Sequence, residues 1–263
     1  PYATNGLGSG ELYKQQLASY SVANVNGPFV LSQTGYDIDN TNAITGHFSE
    51  IFQGTGNGSG TVTINASFRD EAPVNNKGTF TSGNSNGASP ITATDTLGRM
   101  TVSTGYTPPG TTVLYFYNAN AAVMLDSGTH DGTNYNLGVG SVESQTAASN
   151  FTYNAFAGSY LFGHTMSLHR DASDSSGVLA LASNGTVAGT NDNAGSGYTS
   201  YGETISASYV WDSTAYGTIS VSQSGQPALS CIAVQPFNTA NNGGKFACIE
   251  NTSGNPNVMT FQP

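Results

Sequence analysis

The sequence predicts an all-β protein: two tandem antiparallel β-sandwich or small β-barrel domains produced by an internal duplication, preceded by an N-terminal arm. Three observations predict it. Charged residues make up only 8% of the 263 positions, against about 25% in typical soluble domains, and Gly, Ser, Thr and Asn take their place alongside 14 Tyr and 12 Phe. Apolar residues recur with a period of two, as in Val62, Ile64, Ala66 and Phe68, and again in Ile205, Ala207, Tyr209 and Trp211; that alternation belongs to strands with one buried and one wetted face. Finally, short motifs repeat in the same order in the two halves.

The arm comes first, at residues 1–25. Glu11 to Val22 has no counterpart in the second half. It reads either as a short helix, with Leu12, Gln16 and Tyr20 on one face, or as an extended segment. Such a segment either packs on its own domain or completes a neighbour's sheet by strand addition; Leu12, Tyr13, Leu17, Tyr20 and Val22 are its candidate assembly residues.

Domain 1 is expected at 26–148 and domain 2 at 149–263. Gly27-Pro28-Phe29-Val30-Leu31 matches Gly158-Ser159-Tyr160-Leu161-Phe162, and Gly60-Thr61-Val62 matches Gly185-Thr186-Val187. Leu97–Val102 then matches Tyr216–Val221, Val123–Asp126 matches Ala247–Glu250, and the halves close near Gln145 and Gln262. Gly-Asn and Ser-Gly clusters such as Gly54–Gly60 and Asn241–Gly244 punctuate the strands as turns. Gly54–Gly60 lacks the Lys and following helix of a phosphate loop.

Charge excludes several functions. The net charge of −10 arises from only six Lys and Arg, so no basic patch for nucleic acid forms. No apolar run reaches the length of a membrane-spanning helix, so no membrane insertion is expected. Pro1 is not a translation start; the chain is expected to be a processed or truncated form, removal of a signal peptide being one route to it.

Chemistry-bearing motifs are sparse. Zinc-protease, nucleophile-elbow, Walker and dinucleotide patterns are absent. His164 falls where the first half has Gln33, and reads as a half-buried, hydrogen-bonded histidine. Acid pairs such as Asp126 with Glu143 or Glu203 with Asp212 have no local context marking them as a glycosidase pair. Asp37, Asp39, Asp126 and Asp131 lie in acidic loops that are weak calcium candidates without EF-hand spacing. No cofactor and no enzymatic activity are expected.

Cys231 and Cys248 are the only cysteines. Too few ligands surround them for a metal site, and a Cys-x-x-Cys redox motif is absent. They flank a turn at Asn238–Gly244 and are expected to face each other as a disulfide, with Tyr115 and Met124 filling the equivalent space in the first half. A disulfide fits an oxidising, extracellular setting.

The pattern Gly158-Ser159-Tyr160-Leu161-Phe162, then Asn184 to Asp192, a later Gly217-Thr218 strand and the closing Gln262 resembles the β-rich tandem repeats of secreted acidobacterial proteins of unknown function. Met100 departs from that pattern, which has Gly there. The resemblance implies export and β-architecture, and carries no catalytic residues.

The expected function is an extracellular structural protein at the cell surface. It would be a self-assembling subunit of a fibre or filament, with copies of itself as partners and few charges to repel them. The alternatives are a module binding surface glycans through aromatics such as Tyr115, Phe116 and Tyr117, at least one of which a strand would expose, and a polysaccharide-active enzyme.

Overall fold

The structure is a computed structural model that describes residues 14–17, 19–73, 79–83, 88–93, 95–103, 111–126, 134–146, 151–164, 174–195, 198–211, 216–224, 228–235, 244–251 and 258–262. The first half contributes β1 (Asn26–Asp39), β2 (Ile44–Asn57), β3 (Thr61–Pro73), β4 (Thr79–Gly83), β5 (Ala88–Ala93), β6 (Arg99–Ser103), β7 (Thr111–Asn118), β8 (Ala121–Asp126) and β9 (Asn134–Ser144). The second contributes a helical turn α1 (Tyr153–Phe156), then β10 (Gly158–His164), β11 (Asp174–Leu181), β12 (Thr186–Gly195), β13 (Tyr198–Trp211), β14 (Thr218–Ser222), β15 (Leu229–Gln235), β16 (Lys245–Glu250) and β17 (Val258–Gln262).

Strands β10 to β17 form a closed antiparallel barrel in chain order, β17 returning to pair with β10. The first half is also a closed ring. Its sheet runs β2-β1-β9-β8-β7-β6-β5-β3-β4, and β2 pairs with β3 as well. β4 and β5 lie along the same side of β3, Gly83 opposite Ser67 and Ala88 opposite Thr63. They are two pieces of one strand position, so the first ring has eight positions, like the second.

The duplicated motifs occupy equivalent strands. Gly60-Thr61-Val62 and Gly185-Thr186-Val187 open β3 and β12, and Gly60 and Gly185 both hold positive φ (98° and 86°). Gln262 is opposite Leu161 as Glu143 is opposite Val30, so it matches Glu143, and Gln145 lies two residues further on.

Closure of both rings removes most free sheet edges. The continuous apolar runs mark strands buried on both faces. In β15 and β16, Cys231, Ala233, Phe246 and Cys248 point into the second barrel, whereas Ile232, Val234, Ala247 and Ile249 pack with Val258 against Val30, Ile51 and Phe68 of the first. Gln145 pins this contact. Its Nε2 donates to the carbonyls of Ala233 (2.6 Å) and Tyr216 (2.9 Å), and its Oε1 accepts from Gln53 Nε2 (3.1 Å). Beside it the Thr146 N–H donates to the Val234 carbonyl, and Lys245 pairs with Glu143.

The described part of the arm lies on its own barrel and has no α-helix, only the 3-10 turn Val22–Asn24. Gln16 N–H donates to the Tyr117 carbonyl and Tyr20 N–H to that of Thr96, and Gln15 Nε2 donates to the carbonyls of Leu97 and Phe116. Tyr20 is buried in the first core with Val22 packed beside it, while Leu17 is exposed. Leu12 and Tyr13 lie outside the described residues.

Candidate functional site: the interior of the first barrel

The two barrels share a topology and differ inside. The second is filled with rings. Phe246 stacks on Phe261 with centroids 4.5 Å apart, Phe162 on Phe261 at 5.4 Å, and Phe156 meets Trp211 edge-on at 4.8 Å. Tyr160 and Tyr209 complete the packing, donating to the carbonyls of Phe156 and Ala182 (both 2.9 Å). Burial pushes both phenols above their ordinary range.

The first barrel encloses a cavity of about 590 Å³, within the range of pockets that take small organic ligands. Its wall is graded along β1, β2, β3, β7, β8 and β9. Inward positions near the end covered by the 3-10 turn Val22–Asn24 are apolar: Phe29, Leu31, Phe52, Val62, Leu114, Phe116, Met124 and Val142. Toward the far end the same strands present Gln33, Glu50, Arg69, Thr112, Asp126 and Asn136.

Arg69 reaches the interior because β3 is bulged. The β2–β3 register slips between Gln53 and Gly54, leaving Asn65 without a partner position; its Nδ2 donates to Gln53 Oε1 (2.8 Å) and Thr55 Oγ1 (2.9 Å). A bulge inserts one residue and inverts the alternation beyond it. Val62 and Ile64 therefore face in, but so do Ser67 and Arg69, whereas Phe68 turns to the second barrel. The uninterrupted alternation Val62, Ile64, Ala66, Phe68 is thus corrected.

The guanidinium is heavily engaged. Its Nε donates to Glu71, Nη1 lies 3.5 Å from Glu50 Oε2, and Nη2 lies 3.4 Å from Asp37 Oδ1 and 3.5 Å from Asn136 Oδ1. Its Cζ sits 4.2 Å above the Phe48 ring. Burial pulls the Arg69 pKa down, but Glu50, Glu71 and Asp37 outweigh it and hold the group above its ordinary value. One guanidinium thus faces three carboxylates.

Glycines let the polar groups lie close to the wall. A Cβ on Gly138 would stand 2.8 Å from Gln33 Oε1 and 3.0 Å from the Phe48 ring, and one on Gly140 2.1 Å from the Ser32 carbonyl oxygen. Gln33 Nε2 donates to Glu50 Oε2 at 2.7 Å. Its Oε1 is buried without a hydrogen-bond partner.

Of the calcium candidates, Asp37 serves Arg69, and Asp126 accepts from Thr112 Oγ1 (3.1 Å) inside the barrel. Asp39 accepts from Thr41 Oγ1 and from the N–H groups of Thr41 and Ala43, which hold its pKa down. Asp131 lies outside the described residues. Among the described residues no group of three or more His, Cys, Asp or Glu is arranged for a metal. Asp126 faces in while Glu143 pairs with Lys245 between the barrels, so they are not a catalytic pair. Glu203 accepts from Asn193 Nδ2 (2.8 Å), and Asp212 lies outside the described residues.

Cys231 and Cys248 are directly opposite on β15 and β16 and form a disulfide, with Cα atoms 4.0 Å apart. The matching pair in the first barrel is Leu114 opposite Met124, because Met100 pairs with Leu114 as Ile219 pairs with Cys231. Tyr115, one residue on, points outward and is 43% exposed, against 5% for Leu114. The disulfide thus stands at the lining position that Leu114 and Met124 fill in the hollow barrel.

No family model and no curated protein matches the chain. Solved structures align along its length, two of them as follows. One is a candidate AttH from Nitrosomonas europaea, with 10% identity and a TM-score of 0.29, covering 91% of this chain and 93% of that one. The other is a protein of unknown function from the DUF3598 family of Nostoc punctiforme, with 11% identity and a TM-score of 0.25, covering 94% and 98%. Neither likeness is close enough to carry an argument about function.

Proposed function

We propose that this protein binds a small, largely apolar molecule inside its first barrel. The observation that carries the reading is the contrast between twin barrels: among the described residues one draws its aromatic side chains together into a buried cluster, while the other lines about 590 Å³ with an apolar wall and a polar end. Filled cores are the default for proteins, because cavities cost stability. The second barrel supplies the scaffold, and the disulfide fits an oxidising compartment; among the described residues no helix is long and apolar enough to cross a membrane.

The test is titration with N-phenyl-1-naphthylamine, an apolar fluorophore that brightens on leaving water. Saturable, one-site enhancement is expected, and Leu114→Trp with Val142→Trp, which set two indoles into the cavity and narrow it, should weaken it. Unsaturable enhancement, or enhancement untouched by the narrowed variant, refutes the reading.

A second reading, the self-assembling surface subunit, draws support from an outward apolar strip on the same barrel. Val139, 59% exposed, stands opposite Leu125, with Leu137 and Tyr135 further along β9. Few charges would oppose copies meeting there. Val139→Glu should dissociate any assemblies seen by electron microscopy; assemblies indifferent to it would refute a contact through this strip.

A further inference from the structure

We infer that the molecule held in the first barrel carries a cationic, hydrogen-bond-donating head, an alkyl ammonium rather than a fatty carboxylate; this rests on the binding reading above. The apolar wall takes the chain, so the head meets the polar end, and the groups there are predominantly acceptors. Glu50, Asp126 and Gln33 line the cavity.

Arg69 is the only cation among the lining residues, and it is already committed. All three of its nitrogens lie against carboxylates, Nε with Glu71, Nη1 with Glu50 and Nη2 with Asp37. An incoming carboxylate would have to displace one of these partners and would bring a fourth negative group to one guanidinium. Burying an anion without a partner is strongly unfavourable.

Gln33 points to the same chemistry independently. It is 5% exposed and its Oε1 has no donor. The amide cannot simply be turned over, since its Nε2 donates to Glu50 at 2.7 Å and the reversed amide would set two acceptors together. A buried acceptor without a donor is rare in native proteins. An ammonium brings three donors and one positive charge, which suits both this oxygen and the carboxylate excess around it.

Calorimetric titration of the full chain with dodecylamine, dodecanol and laurate, each below its aggregation limit, tests this. The amine is expected to bind at least tenfold more tightly than laurate, with dodecanol between them. Leu114→Trp with Val142→Trp, which keeps the net charge and narrows the cavity, should weaken binding of all three and so separates the cavity from attraction to the acidic surface. Glu50→Gln should weaken the amine selectively; if that variant does not fold, Gln33→Leu removes the orphan acceptor and should also narrow the gap. Laurate binding as tightly as the amine overturns the head-group assignment while leaving the cavity reading intact. Failure of all three to bind, or binding unchanged in the narrowed variant, overturns both.

Discussion

Replacing Asp70 with Asn should make the protein more stable at neutral pH and remove a pH dependence that the wild type shows. Asp70 lies on the outer side of β3, opposite Ser49 of β2, and both are fully buried. Burial pushes its carboxyl up from 3.8 to about 8, and Glu250, across the contact between barrels, pushes the same way, against the weaker pull of the Glu71 N–H. The folded protein therefore keeps the Asp70 proton at pH 7, whereas the unfolded chain releases it. Between about pH 4 and pH 8 the folded state binds more protons at this site, so stability falls as pH rises through that window. At about 1.4 kcal/mol per unit, the gap between 3.8 and pH 7 gives an upper limit of about 4 kcal/mol. Asn keeps the shape and cannot ionise. Guanidinium denaturation of both proteins from pH 4.5 to pH 8.5 should show the variant gaining on the wild type as pH rises, by about 2 to 4 kcal/mol at neutrality once the cost of seating an amide is included. A difference that does not change with pH would refute the assignment of a protonated carboxyl.

Three further outcomes follow from the packing. Reducing the disulfide, or the pair Cys231→Ala and Cys248→Ala, should lower stability by about 3 kcal/mol through the loop it closes; Cys231→Leu with Cys248→Met should recover part of that, because Leu and Met fill the equivalent pair in the first barrel, as thermal denaturation would report. Arg69→Met should cost about 3 to 5 kcal/mol by leaving three carboxylates together, with part of the loss regained at acid pH where carboxylates protonate, measured by denaturation at two pH values. Gly140→Ala should cost about 1 to 3 kcal/mol and loosen the β1–β9 pairing, seen as faster amide exchange, since its Cβ would meet the Ser32 carbonyl.

Much of the architecture is legible in the sequence because turn glycines and alternating residues are local signals. Gly60 and Gly185 must take positive φ where they stand, which is why the motifs around them mark equivalent strands. The interior of the first barrel is less legible, for a physical reason. A single unpaired residue, Asn65, reverses which side of β3 faces in, and alternation read straight through it places Arg69 on the wetted face. The same one-residue sensitivity separates Leu114 from Tyr115. A signal was nonetheless present: Asp37 and Glu50 fall on the inward phases of β1 and β2, and Arg69 is one of only six cations. Whether a barrel is hollow depends on side chains from eight strands at once, and no single segment reports it. In the second barrel Phe162, Phe246 and Phe261 converge, while the first places Leu31, Leu114 and Val142 around open space.

Whether this space holds a ligand can be observed directly. Crystals of the protein grown with a bromine-terminated dodecanol locate the chain directly through the anomalous signal of bromine. One dominant bromine site is expected inside the first barrel, among Leu31, Leu114, Met124 and Val142. Bromine found only on the outer wall, or an ordered first barrel with no bromine inside it at saturating ligand, would contradict it.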